Sequence, residues 1–180
     1  MEVIQGYLLD NNIISILLQP NDARYPGVRA RFDTIRAGPV FLPVIAIAEI
    51  EFGLTMGANN EKQTKELRNF FSEYPHHLPV DDHTVEPYAL LRGQIWRDHA
   101  TLRKSGRGYE EKLPEKLTDR VTGQSLEIDE RDLLIASVAV QYRLVLATND
   151  SRGGMKRIDQ AARKLEQSMK PIHLRIEYWP

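Results

Sequence analysis

Tyr7-Leu8-Leu9-Asp10-Asn11-Asn12 is a short apolar run that stops at a carboxylate, and the interpretation of the whole chain depends on it. Helical periodicity follows at once over residues 13–18, so this stretch predicts a strand, an acid and a helix in succession. That order is typical of an open α/β sheet, in which ligands bind beyond the carboxyl ends of the strands. An Asp in this place is also a common helix cap, so Asp10 alone leaves both roles open.

A second strand of the same kind lies near the other end of the chain. Residues 143–147 form a buried apolar run that stops at Thr148-Asn149-Asp150, again an acid beside an asparagine. A third acid, Asp132, opens an apolar helix within residues 128–140, where the helix macrodipole favours negative charge. Right-handed crossovers are expected to bring these acids to one edge of a parallel sheet.

The fourth acid, Glu49, lies inside the helix predicted over residues 44–56. It shares an apolar helical face with Ile45, Phe52 and Met56. An ionised carboxylate on such a face is costly unless it has a partner. That partner is either a metal cation or a buried Arg or Lys, and the sequence leaves both open.

Four acids in one cleft suit one kind of chemistry. Gathered carboxylates repel each other, and a hard divalent cation removes that repulsion. Mg²⁺ and Mn²⁺ take oxygen ligands and keep positions for water and phosphate oxygens, so the pattern predicts metal-dependent hydrolysis of phosphodiester bonds. Asn11, Asn12 and Thr148 are expected to hydrogen-bond to the carboxylates and orient them. The histidines, His76-His77 included, show no metal-ligand spacing and are expected to be structural.

Composition limits the class of protein and its location. A chain of 180 residues suits a single domain, and its net charge of −1 gives no overall basic field to attract a polyanion. There are no cysteines, which excludes disulfides and thiolate zinc sites. No apolar run approaches the ~20 residues of a membrane span. The first strand begins so close to Met1 that no signal peptide is expected, which favours the cytoplasm.

The polar stretch 105–125 predicts an insertion that is partly helical over residues 111–121. Its mixed charges indicate either a solvated helix with i,i+4 pairs or a surface that touches RNA. The apolar stripe of the helix over 61–74 predicts core packing or, where exposed, a homodimer contact. The other predicted elements are helices over 28–36, 85–104 and 157–169 and short strands over 40–42, 78–80 and 172–176.

Four stretches of the chain carry a family resemblance. They are Leu8-Leu9-Asp10-Asn11-Asn12-Ile13, Ala48-Glu49-Ile50-Glu51-Phe52-Gly53, Asp132-Leu133-Leu134-Ile135-Ala136 and Ala147-Thr148-Asn149-Asp150. In this order they resemble the four signature stretches of PIN-domain ribonucleases, and most closely those of the VapC-type toxins of bacterial toxin–antitoxin modules. The resemblance spans the chain apart from the insertion and an enlarged segment after Asp150. Asn11 stands where the family usually has Thr, which keeps a hydrogen-bonding side chain.

The resemblance implies a three-layer α/β/α fold with a central, mostly parallel sheet, in one domain spanning residues 1–180. It implies a Mg²⁺- or Mn²⁺-dependent endoribonuclease that forms a homodimer and is inhibited by a cognate antitoxin covering the acidic cleft. By motif match, Asp10, Glu49, Asp132 and Asp150 become the catalytic, metal-holding tetrad, with Asp10 and Asp132 as direct ligands. Arg152, just beyond the last motif, is either a phosphate contact or an ordinary surface residue.

Other interpretations stay open at this point. A PIN nuclease could serve RNA processing or act on DNA instead of acting as a toxin. A nuclease-dead binding module is the alternative from another class, although four intact acids argue against it. A phosphoacceptor domain needs clustered acids in its first loop, and a haloacid-dehalogenase-like hydrolase needs an Asp where Asn12 stands.

Overall fold

The described part of the chain contains five strands and seven α-helices. The computed structural model describes residues 6–57, 61–101, 105–107, 113–168 and 172–180. The strands are β1 Tyr7–Leu9, β2 Val40–Pro43, β3 His77–Leu78, β4 Val145–Thr148 and β5 Arg175–Tyr178. The helices are α1 Asn11–Leu17, α2 Tyr25–Ile35, α3 Val44–Met56, α4 Glu61–Glu73, α5 Val85–His99, α6 Glu130–Tyr142 and α7 Gly154–Glu166.

The strands form one sheet in the order β3-β2-β1-β4-β5, and every pairing between them is parallel. β1 is the central strand, and its Leu9 lies beside Ala147 of β4. The backbone N–H of Asp10 donates to the carbonyl of Ala147 at 2.9 Å, which continues the pairing to the end of both strands. The acids that follow β1 and β4 therefore leave the sheet at the same edge.

Helices cover both faces of this sheet, which confirms the predicted three-layer α/β/α architecture. Leu8, Leu9, Leu146 and Ala147 are fully buried, because a parallel sheet covered on both sides leaves no solvated face. α5, α6 and α7 pack on one another, while α1 packs on α2 and α3. No helix in the described ranges is long and apolar enough to cross a membrane.

The prediction of a helix over residues 111–121 is wrong, because the described residues of this stretch form only a single helical turn. Pro114–Lys116 form one turn of 3-10 helix, and Thr118 then pairs with Ser125 in an antiparallel bridge. Between them the Asp119 side chain accepts the backbone N–H groups of Val121 and Thr122 at 3.0 and 2.8 Å. Local side-chain bonds of this kind compete with a helix and favour a turn. Residues 108–112 of the predicted insertion lie outside the described part.

Several element ends differ from the prediction, each for a local reason. α5 ends at His99 because Arg120 donates to the carbonyl oxygens of Arg97 and Ala100 and so caps the last turn. The predicted continuation over 102–104 lies outside the described residues. α7 begins at Gly154, three residues earlier than predicted, because an acidic side chain caps its first turn. The end predicted for that helix, Met169, also lies outside them. β3 and β5 are the edge strands of the sheet; β3 covers His77–Leu78 and not the predicted 78–80, and β5 covers Arg175–Tyr178 and not the predicted 172–176.

The entry into α7 leaves no room for a side chain at Gly154. A Cβ built there would lie 2.8 Å from the Cα of Ile128 and would also collide with the carbonyl oxygen of Glu127. Both obstacles are backbone atoms, so we expect Gly154→Ala to lower the free energy of unfolding by about 1–3 kcal/mol. Urea denaturation followed by circular dichroism measures the change.

Gly53 is the matched control, because a Cβ built there meets nothing within 4 Å. It lies inside α3, where alanine favours a helix by roughly 0.5–1 kcal/mol over glycine. Gly53→Ala is therefore expected to be neutral or slightly stabilising. Equal losses of stability in the two variants would contradict the tight packing described at the start of α7.

Candidate active site

Asp10 lies at the end of the central strand and is almost completely buried, with 3% of its surface exposed. Its Oδ1 accepts the backbone N–H of Asn11 at 2.7 Å, so it caps α1. Its Oδ2 accepts the hydroxyl of Thr148 at 2.7 Å. Burial raises the pKa of Asp10 to about 6, although these two hydrogen bonds oppose the rise. The carboxylates of Asp150 and Glu49 raise it further, which places both within electrostatic reach of Asp10.

The Thr148 hydroxyl joins the first and last motifs. Besides donating to Asp10, its oxygen accepts the side-chain amide of Asn12 and the backbone N–H of Asp150, both at 3.1 Å. The side-chain Oδ1 of Asn12 accepts the backbone N–H of Asn149 at 3.0 Å. The Thr148 hydroxyl therefore uses its one donor and both of its lone pairs, which fixes the orientation of this buried group.

Asp150 is held by the first turn of α7. Its Oδ1 accepts the N–H of Gly153 at 2.7 Å, and its Oδ2 accepts the N–H of Met155 at 3.0 Å. These N–H groups have no partner inside the helix, and the positive end of the helix dipole favours a carboxylate there. The neighbouring Arg152 side chain is exposed, and its backbone N–H lies 3.3 Å from the same carboxylate.

Asp132 differs from the other three acids because its carboxylate accepts no hydrogen bond from the described residues. It lies in the first turn of α6, and no residue in the described ranges makes a hydrogen bond or ion pair with its carboxylate. Burial raises the pKa of Asp132 to about 7, and the charges of Asp10, Asp129, Asp150 and Glu49 contribute. The fold therefore brings this carboxylate to the other acids with no hydrogen bond or ion pair from the described residues, although the Arg131 charge lies within electrostatic reach of it.

Glu49 forms an ion pair with an arginine of this chain, one of the two kinds of partner that the sequence left open. Its Oε2 accepts the side-chain amide of Asn11 at 3.0 Å, and its Oε1 forms an ion pair with Arg131. Arg131 also pairs with Asp129, the N-cap of α6. The pKa of Glu49 is raised by burial and lowered by the Arg131 charge, with the first effect the larger.

The apolar face predicted around Glu49 is only partly a core face. Ala46 is the buried residue of α3, while Phe52 and Met56 are 65% and 71% exposed. The expectation that these residues share the core with Glu49 is therefore wrong. The first half of α3 packs on its neighbours, and its second half presents apolar side chains to the outside.

All four predicted acids lie at the C-terminal edge of the sheet: Thr148 joins Asp10 to Asp150, Asn11 next to Asp10 binds Glu49, and the charges of these three acids act on Asp132. They are not arranged as a ready-made metal site, because no three acidic or histidine side chains of the described residues converge on one point. The chemistry of the donors does fit Mg²⁺ or Mn²⁺, since all are carboxylate oxygens. The uncompensated carboxylate of Asp132 is the clearest place for such a cation.

Three residues that contribute to this site were not predicted from the sequence. Arg131 and Asp129 flank the third motif, and the mixed charges of Asp129-Glu130-Arg131-Asp132 were the available signal. Asn149 was noticed only as a neighbour of an acid. Its side-chain amide donates to the carbonyl oxygens of Trp179 and Pro180 at 2.9 Å each, which anchors the loop after β4 to the segment that follows β5.

Comparison with known proteins identifies the family of the chain and agrees with its fold. The PIN domain family model matches residues 7–161. No curated protein matches the chain. The fold is similar to VapBC2 from Rickettsia felis, solved bound to a fragment of promoter DNA, with 18% identity, a TM-score of 0.60 and coverage of 97% of this chain and 98% of that chain. DNA-bound VapBC from Salmonella typhimurium gives 18% identity, a TM-score of 0.60 and coverage of 98% and 100%. FitAcB from Neisseria gonorrhoeae gives 24% identity, a TM-score of 0.59 and coverage of 85% and 93%.

The uncompensated charge of Asp132 predicts a pH-dependent loss of stability in the metal-free protein. Its pKa rises from 3.8 to about 7 on folding, so the folded chain binds the proton more tightly than the unfolded chain. Stability is therefore expected to fall as the pH rises from about 4 to about 7. Asp132→Asn removes this cost, and we expect it to gain about 1–3 kcal/mol at pH 8 and nothing at pH 4.

Urea unfolding in EDTA at the two pH values measures this difference. Glu51→Gln is the control, because Glu51 is an exposed acid of α3 and its replacement is expected to change stability at neither pH. A loss of stability in Asp132→Asn at pH 8, or the same gain at both values, would contradict the charge assignment.

Proposed function

The chain belongs to the PIN domain family, and we propose that it is a metal-dependent endoribonuclease that hydrolyses RNA phosphodiester bonds. The observation that supports this most is the partly buried carboxylate of Asp132, which has no donor and lies with three other acids at the end of the central strands. A fold keeps such a costly group where a cation is to be bound. We place this activity in the cytoplasm, where RNA is available.

We assign the catalytic and metal-holding roles to Asp10, Glu49, Asp132 and Asp150, with Asp10 and Asp132 as the direct ligands. A bound Mg²⁺ or Mn²⁺ ion would neutralise charge on the phosphate and make a water molecule more nucleophilic. The donor set suits these hard cations because it contains only oxygen.

The chain's own contribution is to hold the carboxylates in place. Thr148 fixes one oxygen of Asp10, and Asn12 in turn fixes Thr148. Asp150 is held by the first turn of α7, and Asn11 orients Glu49. Residues that orient ligands in this way typically affect metal affinity or activity by 10–100-fold when removed. We therefore assign Asn12 and Thr148 a positioning role.

We propose further that the protein is the toxin of a type II toxin–antitoxin pair and that its partner is a cognate antitoxin. The support is the similarity in fold to chains of the VapBC and FitAcB complexes over nearly their whole length. A PIN nuclease of RNA processing is the alternative. A short reading frame for an antitoxin directly upstream of the gene would favour the toxin, and its absence would favour processing.

A homodimer is the assembly we propose, formed through the exposed apolar part of α3. Phe52 and Met56 are 65% and 71% exposed, and Val44 at the start of the same helix is 44% exposed. Apolar residues concentrated on one exposed helix indicate an interaction surface. A second copy of the chain would cover them.

Purified protein should cut total cellular RNA at discrete positions with Mg²⁺ or Mn²⁺ and leave it intact in EDTA. Asp132→Asn is expected to reduce the rate on the order of 100-fold or more, because the uncompensated ligand is lost. Glu51→Gln is expected to cut at the wild-type rate. RNA binding without any metal-dependent cleavage would indicate the binding module instead, and cleavage that persists in Asp132→Asn would contradict the assigned site.

Light scattering after gel filtration tests the dimer. The double variant Phe52→Glu with Met56→Glu is expected to elute as a monomer, because two charges would be buried in the contact. Val121→Glu is the control, since Val121 is 93% exposed but lies outside α3. A wild-type monomer, or a dimer that persists in the double variant, would rule out this interface.

A further inference from the structure

Arg131 places a fixed positive charge among the acids of the cleft. It precedes Asp132 in the first turn of α6, and its guanidinium pairs with both Glu49 and Asp129. Its Nε donates to Asp129 Oδ1 at 2.8 Å. The side chain is still 54% exposed, so it lies at the mouth of the cleft and not in the core. α3 and α6 pack together, and this ion pair spans their contact.

The four acids differ in what compensates them. Asp10 and Asp150 accept hydrogen bonds from neutral groups, a hydroxyl and backbone N–H groups. Asp132 accepts none from the described residues. Among the four acids, only Glu49 forms an ion pair with a cation of the described residues, and its two oxygens are divided between that cation and the amide of Asn11.

The cleft therefore has two sides that differ in charge compensation, one at Asp132 and one at Glu49. On the Asp132 side, the carboxylate has no hydrogen bond or ion pair from the described residues, and a divalent ion would relieve its repulsion from the neighbouring acids. On the Glu49 side, a guanidinium already neutralises the carboxylate, and a divalent ion placed there would be repelled by Arg131. Nucleases that use two metal ions need carboxylates free to hold both of them.

We propose that Arg131 occupies the place of a second divalent ion, so that each chain binds a single Mg²⁺ or Mn²⁺ ion on the Asp132 side of the cleft. Arg131 is then a positioning residue, which holds Glu49 beside Asp129 and keeps it from binding a second ion of its own. This inference rests on the proposed metal-dependent function, because it concerns the number of ions in the same site.

Titration with Mn²⁺ tests the proposal without any need for activity, because the electron paramagnetic resonance signal reports the free ion. The chain is first freed of metal with EDTA and dialysed. We expect the wild-type protein to bind one ion per chain and Arg131→Gln to bind two. Arg131→Lys keeps the positive charge and is expected to stay at one, which separates the charge from the shape of the guanidinium.

Arg24→Gln is the matched control. Arg24 is similarly exposed, at 52%, and lies near the same edge of the sheet through its contact with Asn149 at 3.3 Å. Its ion pair is with Asp22, which is outside the four acids. We expect Arg24→Gln to bind one ion with wild-type affinity. Melting curves recorded first establish that each variant is folded.

The outcomes separate this inference from the function on which it rests. One ion in both the wild-type protein and Arg131→Gln, with binding lost in Asp132→Asn, would overturn the role of Arg131 and leave the metal site standing. Two ions in the wild-type protein would overturn it as well. Absence of Mn²⁺ binding in the wild-type protein, or binding unchanged in Asp132→Asn, would overturn the proposed metal site and the inference together.

Discussion

The hydrogen bond from the Thr148 hydroxyl to Asp10 is the interaction on which the candidate site depends. It can form because β1 and β4 are adjacent and parallel, so that both strands end at the same edge of the sheet. The same hydroxyl accepts from Asn12 and from the backbone of Asp150, and it therefore ties the first motif to the last. A shift of either strand by one residue would break all three bonds and turn the acids away from each other.

The site combines stabilised and destabilised charges in one cleft. Asp10 and Asp150 also cap α1 and α7, so these acids contribute to the fold as well as to the cleft. Asp132 accepts no hydrogen bond from the described residues, and burial raises its pKa, so its charge is expected to destabilise the metal-free protein. Asp10 and Asp150 accept hydrogen bonds and Asp132 accepts none from the described residues. This difference is a physical reason to regard Asp132 as the acid that most needs a cation, and it does not depend on resemblance to other proteins.

Much of the fold could be predicted from the sequence because it is encoded locally. Apolar runs that stop at Asp10 and Asp150 indicated two strands, and helical periodicity gave α3 with its observed ends. The partner of Glu49 could not be named, because its pairing with Arg131 arises only when α3 and α6 pack together. The turn at Asp119 was not predicted because the charged residues of this stretch have helical spacing. That spacing does not reveal the hydrogen bonds that the Asp119 side chain makes to the backbone.

A crystal of the protein soaked in Mn²⁺ and measured at the manganese absorption edge tests the central claim most directly. We expect one anomalous peak per chain, within coordination distance of Asp132 and Asp10 and on the side of the cleft away from Arg131. A crystal without a peak among the four acids, or with its peak at some other part of the surface, would contradict the claim that this cleft is built to hold a catalytic metal ion.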